Sequence, residues 1–283
     1  MSSVYEGAMP NNRKNIVAGN GKMNKTRAEA RELAEALKSG LSGLNHLPEV
    51  IIIPPFTALS TVGEIIRGTN IRLGAQNMDY RNAGAYTGEI SPIMLKELDV
   101  EYVLVGHSER RQYFGESNQT TNLRVKAAFT HSLLPILCVG ESLDERESNL
   151  TDAVVSRQVA AALTDVEKVY LPKLVVAYEP VWAIGTGKNC EAEEANRVAQ
   201  VIRQTLHSQF VKAGANSRDA DVVPILYGGS VNTSNIEAQV SSAIDQIDGV
   251  LVGGASLKAD DFLFLVRATQ KRIEDLRGTA VRS

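Results

Sequence analysis

A carboxylate stands at the end of an apolar run, at the start of the segment 178-YEPVWAIGTGKN-189. Glu179 follows LVVAY and precedes Pro180, which cannot donate a hydrogen bond to a β-ladder, so we expect the strand to end here. The carboxylate would then lie beside the apolar side chains of Trp182 and Ile184, and partial loss of water suits a carboxylate to act as a general base. An isolated glutamate at a strand end more often pairs with a surface lysine or arginine, and that alternative stays open.

A histidine occupies the second position of 106-GHSERR-111. Ser108 is predicted to cap a helix that runs into ERRQYF, and this places His107 at a helix N-terminus. The positive end of the helix dipole disfavours the imidazolium form, whereas a neutral imidazole can donate a hydrogen bond to a substrate oxygen and take the proton back. His107 is therefore a candidate electrophile, with a purely structural histidine as the alternative.

A lysine and two glycine pairs offer places for an anionic substrate. Lys22, in 19-GNGKMN-24, would balance the charge of an anion or an enediolate if it is not simply a solvated loop lysine. The glycine pairs in 227-YGGSV-231 and 252-VGGA-255 let backbone N–H groups approach a ligand, and helix N-termini behind them would add a favourable dipole. These turns are a candidate phosphate site, although each taken alone is also an ordinary turn.

Two motifs of other enzyme classes do not fit the sequence. GTGK is not a phosphate-binding P-loop, because Trp182 stands at the required first glycine and Asn189 replaces the serine or threonine. GGSVN lacks the closing glycine of a nucleophile elbow. No group of His, Cys and Asp has the spacing of metal ligands, so no metal site is predicted.

Short apolar runs alternate with longer, helix-like segments along the chain. Consecutive apolar and β-branched residues are typical of strands buried on both faces in a parallel sheet. The strands are predicted at residues 15–20, 50–54, 71–76, 102–106, 135–140, 174–179, 222–228 and 248–254. Amphipathic helices are predicted between them, including residues 26–41, 117–132 and 191–210. The alternation predicts a single (β/α)8 barrel, with a doubly wound open sheet as the alternative, since alternation alone cannot show closure.

Polar residues repeatedly follow the predicted strands. In a parallel barrel the carboxyl ends of the strands meet at one rim, where barrel active sites lie, and the loops after strands seven and eight form the usual phosphate site. The residues at these positions are Asn20, Lys22, Gln76, Asn77, His107, Glu109, Glu179, Ser230, Gly253 and Gly254. Their convergence predicts one active site at this rim.

The composition is that of a soluble globular protein. Of the 283 residues 43% are hydrophobic, and the net charge of −3 gives no reason to expect nucleic acid or an anionic membrane as a partner. No run approaches the roughly 20 apolar residues of a membrane span, and the N-terminus lacks a signal-peptide core. The two distant cysteines, Cys138 and Cys190, fit a reducing compartment, so we expect a cytoplasmic location. One catalytic domain is predicted at residues 14–273, between an N-terminal tail (1–13) and a C-terminal tail (274–283).

Several segments resemble the signatures of the triosephosphate isomerase family, in the same order along the chain. They are GAYTGEISP, GHSERR, CVGE, AYEPVWAIGTGK and YGGSV, and the resemblance covers nearly the whole chain. It implies a TIM barrel that interconverts dihydroxyacetone phosphate and D-glyceraldehyde 3-phosphate without a cofactor, in glycolysis and gluconeogenesis. It also implies a homodimer, in which the loop around Thr87 inserts into the neighbouring subunit.

The resemblance also implies a role for each candidate residue. Glu179 is the base that moves a proton between two carbons, and His107 is the electrophile. Asn20 and Lys22 contact the substrate oxygens and the developing negative charge, and Glu109 supports Lys22. The residues implied for the phosphate cradle are Gly185, Ser230, Gly253 and Gly254. The segment after Glu179 resembles the mobile lid of the family.

The sequence departs from the family pattern in two places. Gly21 stands where the family usually has a tryptophan, and loss of such a packed ring costs about 3 kcal/mol where nothing compensates. Asn189 and Cys190 replace the T-A or T-P that commonly follows GTGK, so the second hinge of the lid is expected to differ, with Cys190 either exposed or a buried thiol. Two alternative functions stay open: an isomerase of a four-carbon ketose phosphate, for which Gly21 would open space, and a non-catalytic barrel scaffold.

Overall fold

Parallel strands close into a barrel in the computed structural model, which describes residues 13–184, 190–241 and 243–280, without the side chains of residues 277–280. Within these residues there are eight strands, each paired with the next, and the eighth pairs with the first. The strands are β1 (Ile16–Asn20), β2 (Glu49–Ile53), β3 (Ile71–Ala75), β4 (Tyr102–Val105), β5 (Leu134–Val139), β6 (Val175–Tyr178), β7 (Ile225–Tyr227) and β8 (Gly249–Val252). The predicted (β/α)8 barrel is confirmed, and the open sheet is not found.

Helices follow the strands along the chain and pack against them. They are α1 (Arg27–Leu41), α2 (Leu59–Ile66), α3 (Pro92–Glu97), α4 (Ser108–Tyr113), α5 (Asn118–Thr130), α6 (Leu143–Glu147), α7 (Thr151–Ala162), α8 (Ala192–Lys212), α9 (Ile236–Gln239) and α10 (Ala259–Ala280). Short 3-10 helices occupy Phe56–Ala58, Leu171–Lys173, Val181–Ala183, Ser217–Val222 and Gly254–Leu257. The first helix begins at a capping box, in which the Thr26 side chain accepts from the Glu29 N–H and the Glu29 carboxylate accepts from the Thr26 N–H, so two free backbone donors are satisfied.

Both faces of the strands are buried, which explains the runs of consecutive apolar residues. Side chains of alternate residues fill the barrel interior, and the intervening ones pack under the helices. The interior residues are Ile16, Ala18, Ile51, Ile53, Tyr102, Leu104, Ile136, Cys138, Val175, Ala177, Leu226 and Leu251. The same period of two continues beyond Ala18 to Asn20 and beyond Ala177 to Glu179, so these two polar side chains belong to the interior face at the carboxyl ends of β1 and β6.

The last helix extends past the predicted end of the barrel domain. The helix α10 runs through Ala280, so the predicted boundary at residues 273/274 falls inside it. Residues 1–12, most of the predicted N-terminal tail, lie outside the described part of the chain. None of the helices in the described residues combines the length and the apolar character that a membrane span needs.

Candidate active site

A cavity of about 320 Å³ opens at the carboxyl ends of the strands. The structure brings together here most of the site residues that the sequence predicts. Those that line the cavity are Asn20, Lys22, His107, Glu179, Ser230, Gly253 and Gly254. Glu109 joins them through Lys22, whereas Thr87 lies in an exposed loop outside the cavity lining. Gly185 lies outside the described residues.

Glu179 is almost completely buried between the histidine and a backbone amide. It is 2% exposed, its Oε2 accepts a hydrogen bond from the Ser108 N–H at 2.9 Å, and its Oε1 lies 3.0 Å from His107 Nε2. Two glycines make room for it: a Cβ at Gly140 would lie 1.7 Å from the Glu179 carbonyl oxygen, and one at Gly228 would lie 2.9 Å from its Cγ. A side chain at either glycine would therefore displace Glu179.

His107 is itself the cap of α4, and the prediction that Ser108 caps this helix is wrong. The imidazole Nδ1 accepts the Glu109 N–H at 3.2 Å, so Ser108 becomes the first helical residue. A nitrogen that accepts a hydrogen bond carries no proton, and this places the proton of the neutral ring on Nε2. Nε2 is directed to Glu179 and lies 3.4 Å from the Asn20 side-chain nitrogen. The Nε2–H of His107 therefore donates to Glu179 Oε1 at the cavity wall.

Lys22 is held by contacts on its main chain and on its side chain. Its N–H donates to Asn20 Oδ1 at 3.0 Å, and its carbonyl accepts from Gln76 Nε2 at 2.8 Å. Its Nζ lies 2.5 Å from Glu109 Oε1. Lys22 has a positive φ of 48°, a strained backbone conformation for a non-glycine residue that these contacts maintain. These contacts hold Lys22 at the cavity in a chain that has glycine at position 21.

The glycine turns after β7 and β8 form a further part of the cavity wall. A Cβ at Gly254 would meet nothing within 4 Å, so its backbone faces open space, and one at Gly253 would lie 3.2 Å from Lys22 Cε. Ser230 Oγ donates to the Ala183 carbonyl at 2.6 Å, which connects the first glycine turn to the residues just after Glu179. This wall offers backbone groups and a nearby cation to an anion such as a phosphate.

The segment after Glu179 is anchored by a buried glutamate that sequence reasoning did not single out. Glu141 is fully buried, and its Oε1 accepts from the indole Nε1 of Trp182 at 2.8 Å. The Tyr178 hydroxyl donates to the same carboxylate at 3.2 Å. Burial raises the pKa of Glu141, whereas the bonds from Trp182 and Tyr178 oppose that rise. The signal that pointed to Glu179, a carboxylate after an apolar strand, is also present in 138-CVGE-141.

The far end of the segment is a buried thiol. Cys190 is 1% exposed, and burial raises its pKa to about 12, so the structure agrees with the alternative of a quiet, buried cysteine. Its N–H donates to the Tyr227 hydroxyl at 3.4 Å, and its carbonyl accepts from Gln239 Nε2 at 2.9 Å. Residues 185–189, between Ile184 and this anchor, lie outside the described residues.

One cavity of this closed (β/α)8 barrel brings together a buried carboxylate, a histidine, a lysine and two glycine turns. This combination is typical of enzymes that shift a proton within a small anionic substrate.

The model of the family described as "Triosephosphate isomerase" matches residues 15–269. The chain is 50% identical to the triosephosphate isomerase of Clostridium tetani over 254 residues, which are 90% of this chain and 96% of that protein. It is also 50% identical over 254 residues to that of Trichodesmium erythraeum, covering 90% and 98% of the two chains. The triosephosphate isomerase of Synechococcus sp. is 51% identical over 255 residues, covering 89% and 93%. The chain belongs to the triosephosphate isomerase family.

Proposed function

We propose that the protein interconverts dihydroxyacetone phosphate and D-glyceraldehyde 3-phosphate through an enediolate, with Glu179 as the base and His107 as the electrophile. The observation that carries the assignment of roles is the 3.0 Å separation of Glu179 Oε1 and His107 Nε2 at the wall of one cavity. Family membership supports the aldose–ketose isomerase activity, and the names of the relatives support the triose substrate.

The chemistry follows from which atoms face the cavity. Glu179 removes the proton from the carbon beside the substrate carbonyl, while the Nε2–H of His107 donates to the carbonyl oxygen. Lys22 and the Asn20 amide stabilise the negative charge that develops on the oxygens. His107 gives its Nε2 proton to the former carbonyl oxygen and takes the proton of the neighbouring hydroxyl group, and Glu179 returns its proton to the former carbonyl carbon, so the carbonyl group moves by one carbon. Before the first proton transfer the carboxylate must give up its contacts with the Ser108 N–H and with His107 Nε2, so a small movement of Glu179 precedes the reaction and frees the Nε2–H for the substrate.

The phosphate is assigned to the glycine-turn wall. Ser230, Gly253 and Gly254 line the cavity, and Gly254 is open to it. We extend the assignment to Gly185, which the resemblance implies as a further donor from the lid. A lid closed over the phosphate would exclude water from the enediolate, which protects it from loss of phosphate.

Replacement of Glu179 by glutamine tests the assignment of the base. We expect Glu179→Gln to lower kcat by about 10²- to 10⁴-fold, because the amide cannot accept the proton but keeps the shape of the side chain. A coupled isomerase assay measures turnover, and circular dichroism measures retention of the fold. Glu147→Gln, at an exposed position on α6, is the matched control and should keep full turnover. Turnover of Glu179→Gln equal to that of this control would exclude Glu179 as the base.

A four-carbon ketose phosphate is the second candidate substrate, and the relatives do not favour it, since they carry the name of the triose enzyme. The two candidates differ in kcat/KM, which is to be compared for triose and tetrose phosphates under the same conditions. A higher value for the tetrose would replace the proposed substrate. The non-catalytic scaffold has no support in the site, where each residue type needed for the reaction lines the cavity.

We further propose a homodimer built on the loops that follow β1, β3 and β4. Thr87 lies in an exposed loop, and each of the three loops carries an exposed large apolar side chain: Met23 is 95%, Tyr86 42% and Phe114 66% exposed. Burial of such side chains is a common driving force for association. Light scattering should give twice the chain mass of 30.6 kDa. Thr87→Arg should lower that mass, and Ser208→Arg, on α8, should not.

A cytoplasmic location remains our proposal. It is supported by the substrate class and by Cys138 and Cys190, both free thiols in the described residues, as expected in a reducing compartment. The absence of nucleic acid and membrane partners remains a prediction from the net charge of −3.

A further inference from the structure

An arginine outside the cavity holds the residue that anchors the segment after Glu179. Trp182, the single tryptophan of the sequence, lies in the 3-10 helix Val181–Ala183. The guanidinium carbon of Arg146 lies 4.4 Å from the centroid of the indole ring, and Glu141 accepts from the indole N–H. A cation over the ring and a carboxylate at its edge fix the ring in both position and orientation.

The same arginine reaches both ends of the segment. Arg146 Nη1 lies 3.6 Å from Glu141 Oε1 and 3.3 Å from Glu194 Oε1. Glu194 belongs to the first turn of α8, four residues beyond Cys190. Arg146 therefore contacts the anchor before residues 185–189 through Trp182 and the helix after them through Glu194.

A second arginine, Arg197, connects Glu194 to helix α7. Arg197 Nε lies 2.8 Å from Glu194 Oε2, and Arg197 Nη1 lies 2.8 Å from Asp152 Oδ1 on α7. Bonds to Arg197 and Arg146 hold the pKa of Glu194 below its usual range, so this carboxylate is charged at neutral pH. Arg146 is thus fixed from the barrel side and can transmit that constraint to Trp182.

We infer that Arg146 is a positioning residue for the proposed base, acting through Trp182, which lies three positions after Glu179. The inference rests on the proposed role of Glu179. Loss of the guanidinium removes the cation from the indole and the bridge from Glu141 to Glu194. The 3-10 helix Val181–Ala183 then loses one of its attachments, and the carboxylate of Glu179, two positions before this helix, loses its alignment with the cavity.

Arg146→Met tests the inference, because methionine retains an apolar stem and removes the guanidinium. We expect Trp182 emission to move to longer wavelength and to become more accessible to acrylamide. We expect kcat to fall about 10- to 100-fold, since small misplacements of a catalytic group have effects of this size. KM should change less than kcat. Arg146→Lys, which restores a cation but cannot reach Glu141 and Glu194 together, should recover part of kcat.

Arg157→Met is the matched control, since Arg157 is 67% exposed on α7 and lies 4.0 Å from its partner Glu145. It should leave emission, quenching and kcat unchanged. Unchanged Trp182 emission and quenching in a folded Arg146→Met variant would overturn the inference, as would a full kcat. If Arg146→Met does not fold, Trp182 emission, acrylamide quenching and kcat are measured on Arg146→Lys instead. Emission and kcat equal to those of the parent protein would then overturn the inference. Failure of the base assignment is seen separately in Glu179→Gln, because the emission of Trp182 does not depend on turnover.

Discussion

Gly21 and Gly140 each stand one position beyond a barrel strand, but their surroundings differ. A Cβ at Gly140 would overlap the Glu179 carbonyl oxygen at 1.7 Å, whereas the nearest atom to a Cβ at Gly21 is the Ile53 carbonyl oxygen at 3.5 Å, an ordinary contact. Lys22 makes its contacts with Asn20 and Glu109 although position 21 is a glycine. The missing ring at Gly21 is therefore a local loss of packing, and it does not displace the cation.

We expect Gly21→Ala to raise the free energy of unfolding by about 0.4–1 kcal/mol, because a side chain that fits restricts the unfolded chain more than the folded one. The kcat/KM should be unchanged. Urea unfolding at fixed protein concentration and the isomerase assay measure the two effects. Gly140→Ala is the control at a site without room, and it should lower both stability and kcat. A loss of stability in Gly21→Ala would show that the turn needs the freedom of glycine.

At the scale of elements, the loop after β3 is closed by an ion pair between a buried aspartate and a half-buried arginine. The Asp79 side chain, 5% exposed, accepts from Arg81 Nε at 2.8 Å and from Arg81 Nη2 at 2.7 Å. The guanidinium lies over the Tyr86 ring, with 3.3 Å between the Arg81 guanidinium carbon and the ring centroid. The Asp79 N–H donates to the Ile90 carbonyl at 2.8 Å, so the two ends of the exposed loop that carries Thr87 are joined.

Asp79→Asn should lower the free energy of unfolding by about 1.5–3 kcal/mol at pH 7, the usual worth of hydrogen bonds to a charged group. The bond with Arg81 lowers the pKa of Asp79 in the folded protein. Its contribution is therefore present above the unfolded pKa of about 3.9 and is lost as the pH falls through the lower folded value. Urea unfolding at several pH values should show the difference between parent and variant shrink in acid.

Asp99→Asn is the control for this prediction. Asp99 is 79% exposed and lies 3.6 Å from Arg67, so its replacement should cost less than about 1 kcal/mol at any pH. A difference between the parent and Asp79→Asn that stays constant down to acid pH would contradict the role given to the charge of Asp79.

The positions of the elements follow closely from local pattern. The helix predicted at residues 26–41 is Arg27–Leu41, and that predicted at 191–210 is Ala192–Lys212. These agree because periodicity and burial act over a few neighbouring residues. The strand predicted at 222–228 is shorter in the structure, Ile225–Tyr227, and its predicted first residue belongs to the 3-10 helix Ser217–Val222. An apolar run alone does not distinguish such a turn from a strand.

The sequence predicts which residues lie at the rim of the barrel, but it does not predict which of them contact each other. Residues that end parallel strands must converge, so Asn20, His107 and Glu179 were expected near one another. The bond from the Ser108 N–H to Glu179 spans 71 positions and depends on the direction of one peptide group. Arg146 and Trp182, whose side chains are in contact, are 36 positions apart, and no periodicity in the sequence indicates this contact. Contacts of this kind arise from tertiary packing, so local patterns in the sequence do not predict them.

At the scale of the whole molecule, a buried aspartate joins the strands where the barrel closes. Asp248 directly precedes β8, and its Oδ2 accepts from the Ile225 N–H of β7 at 3.0 Å. Its carbonyl accepts from the Ile16 N–H of β1 at 3.0 Å. Two arginines face its carboxylate: Arg13 Nε lies 2.6 Å from Oδ1, and Arg203 Nη2 lies 3.5 Å from Oδ2. Asp248 thus connects β1 through its main-chain carbonyl, and β7 and Arg203 of α8 through its carboxylate.

We expect Asp248→Asn to lower the free energy of unfolding by about 3–5 kcal/mol, because it leaves the buried guanidinium of Arg203 without the charge that compensates it. The loss should appear as a lower midpoint in urea, followed by circular dichroism and by the emission of Trp182 at one fixed protein concentration. His207 and Asp221 provide the matched control: their side chains are 38% and 51% exposed with 2.8 Å between Nε2 and Oδ1. Asp221→Asn should cost less than about 1 kcal/mol. Equal midpoints for the two variants would mean that the charge of Asp248 does not stabilise the barrel. The contribution of Asp248 to stability would then come from its main-chain hydrogen bonds.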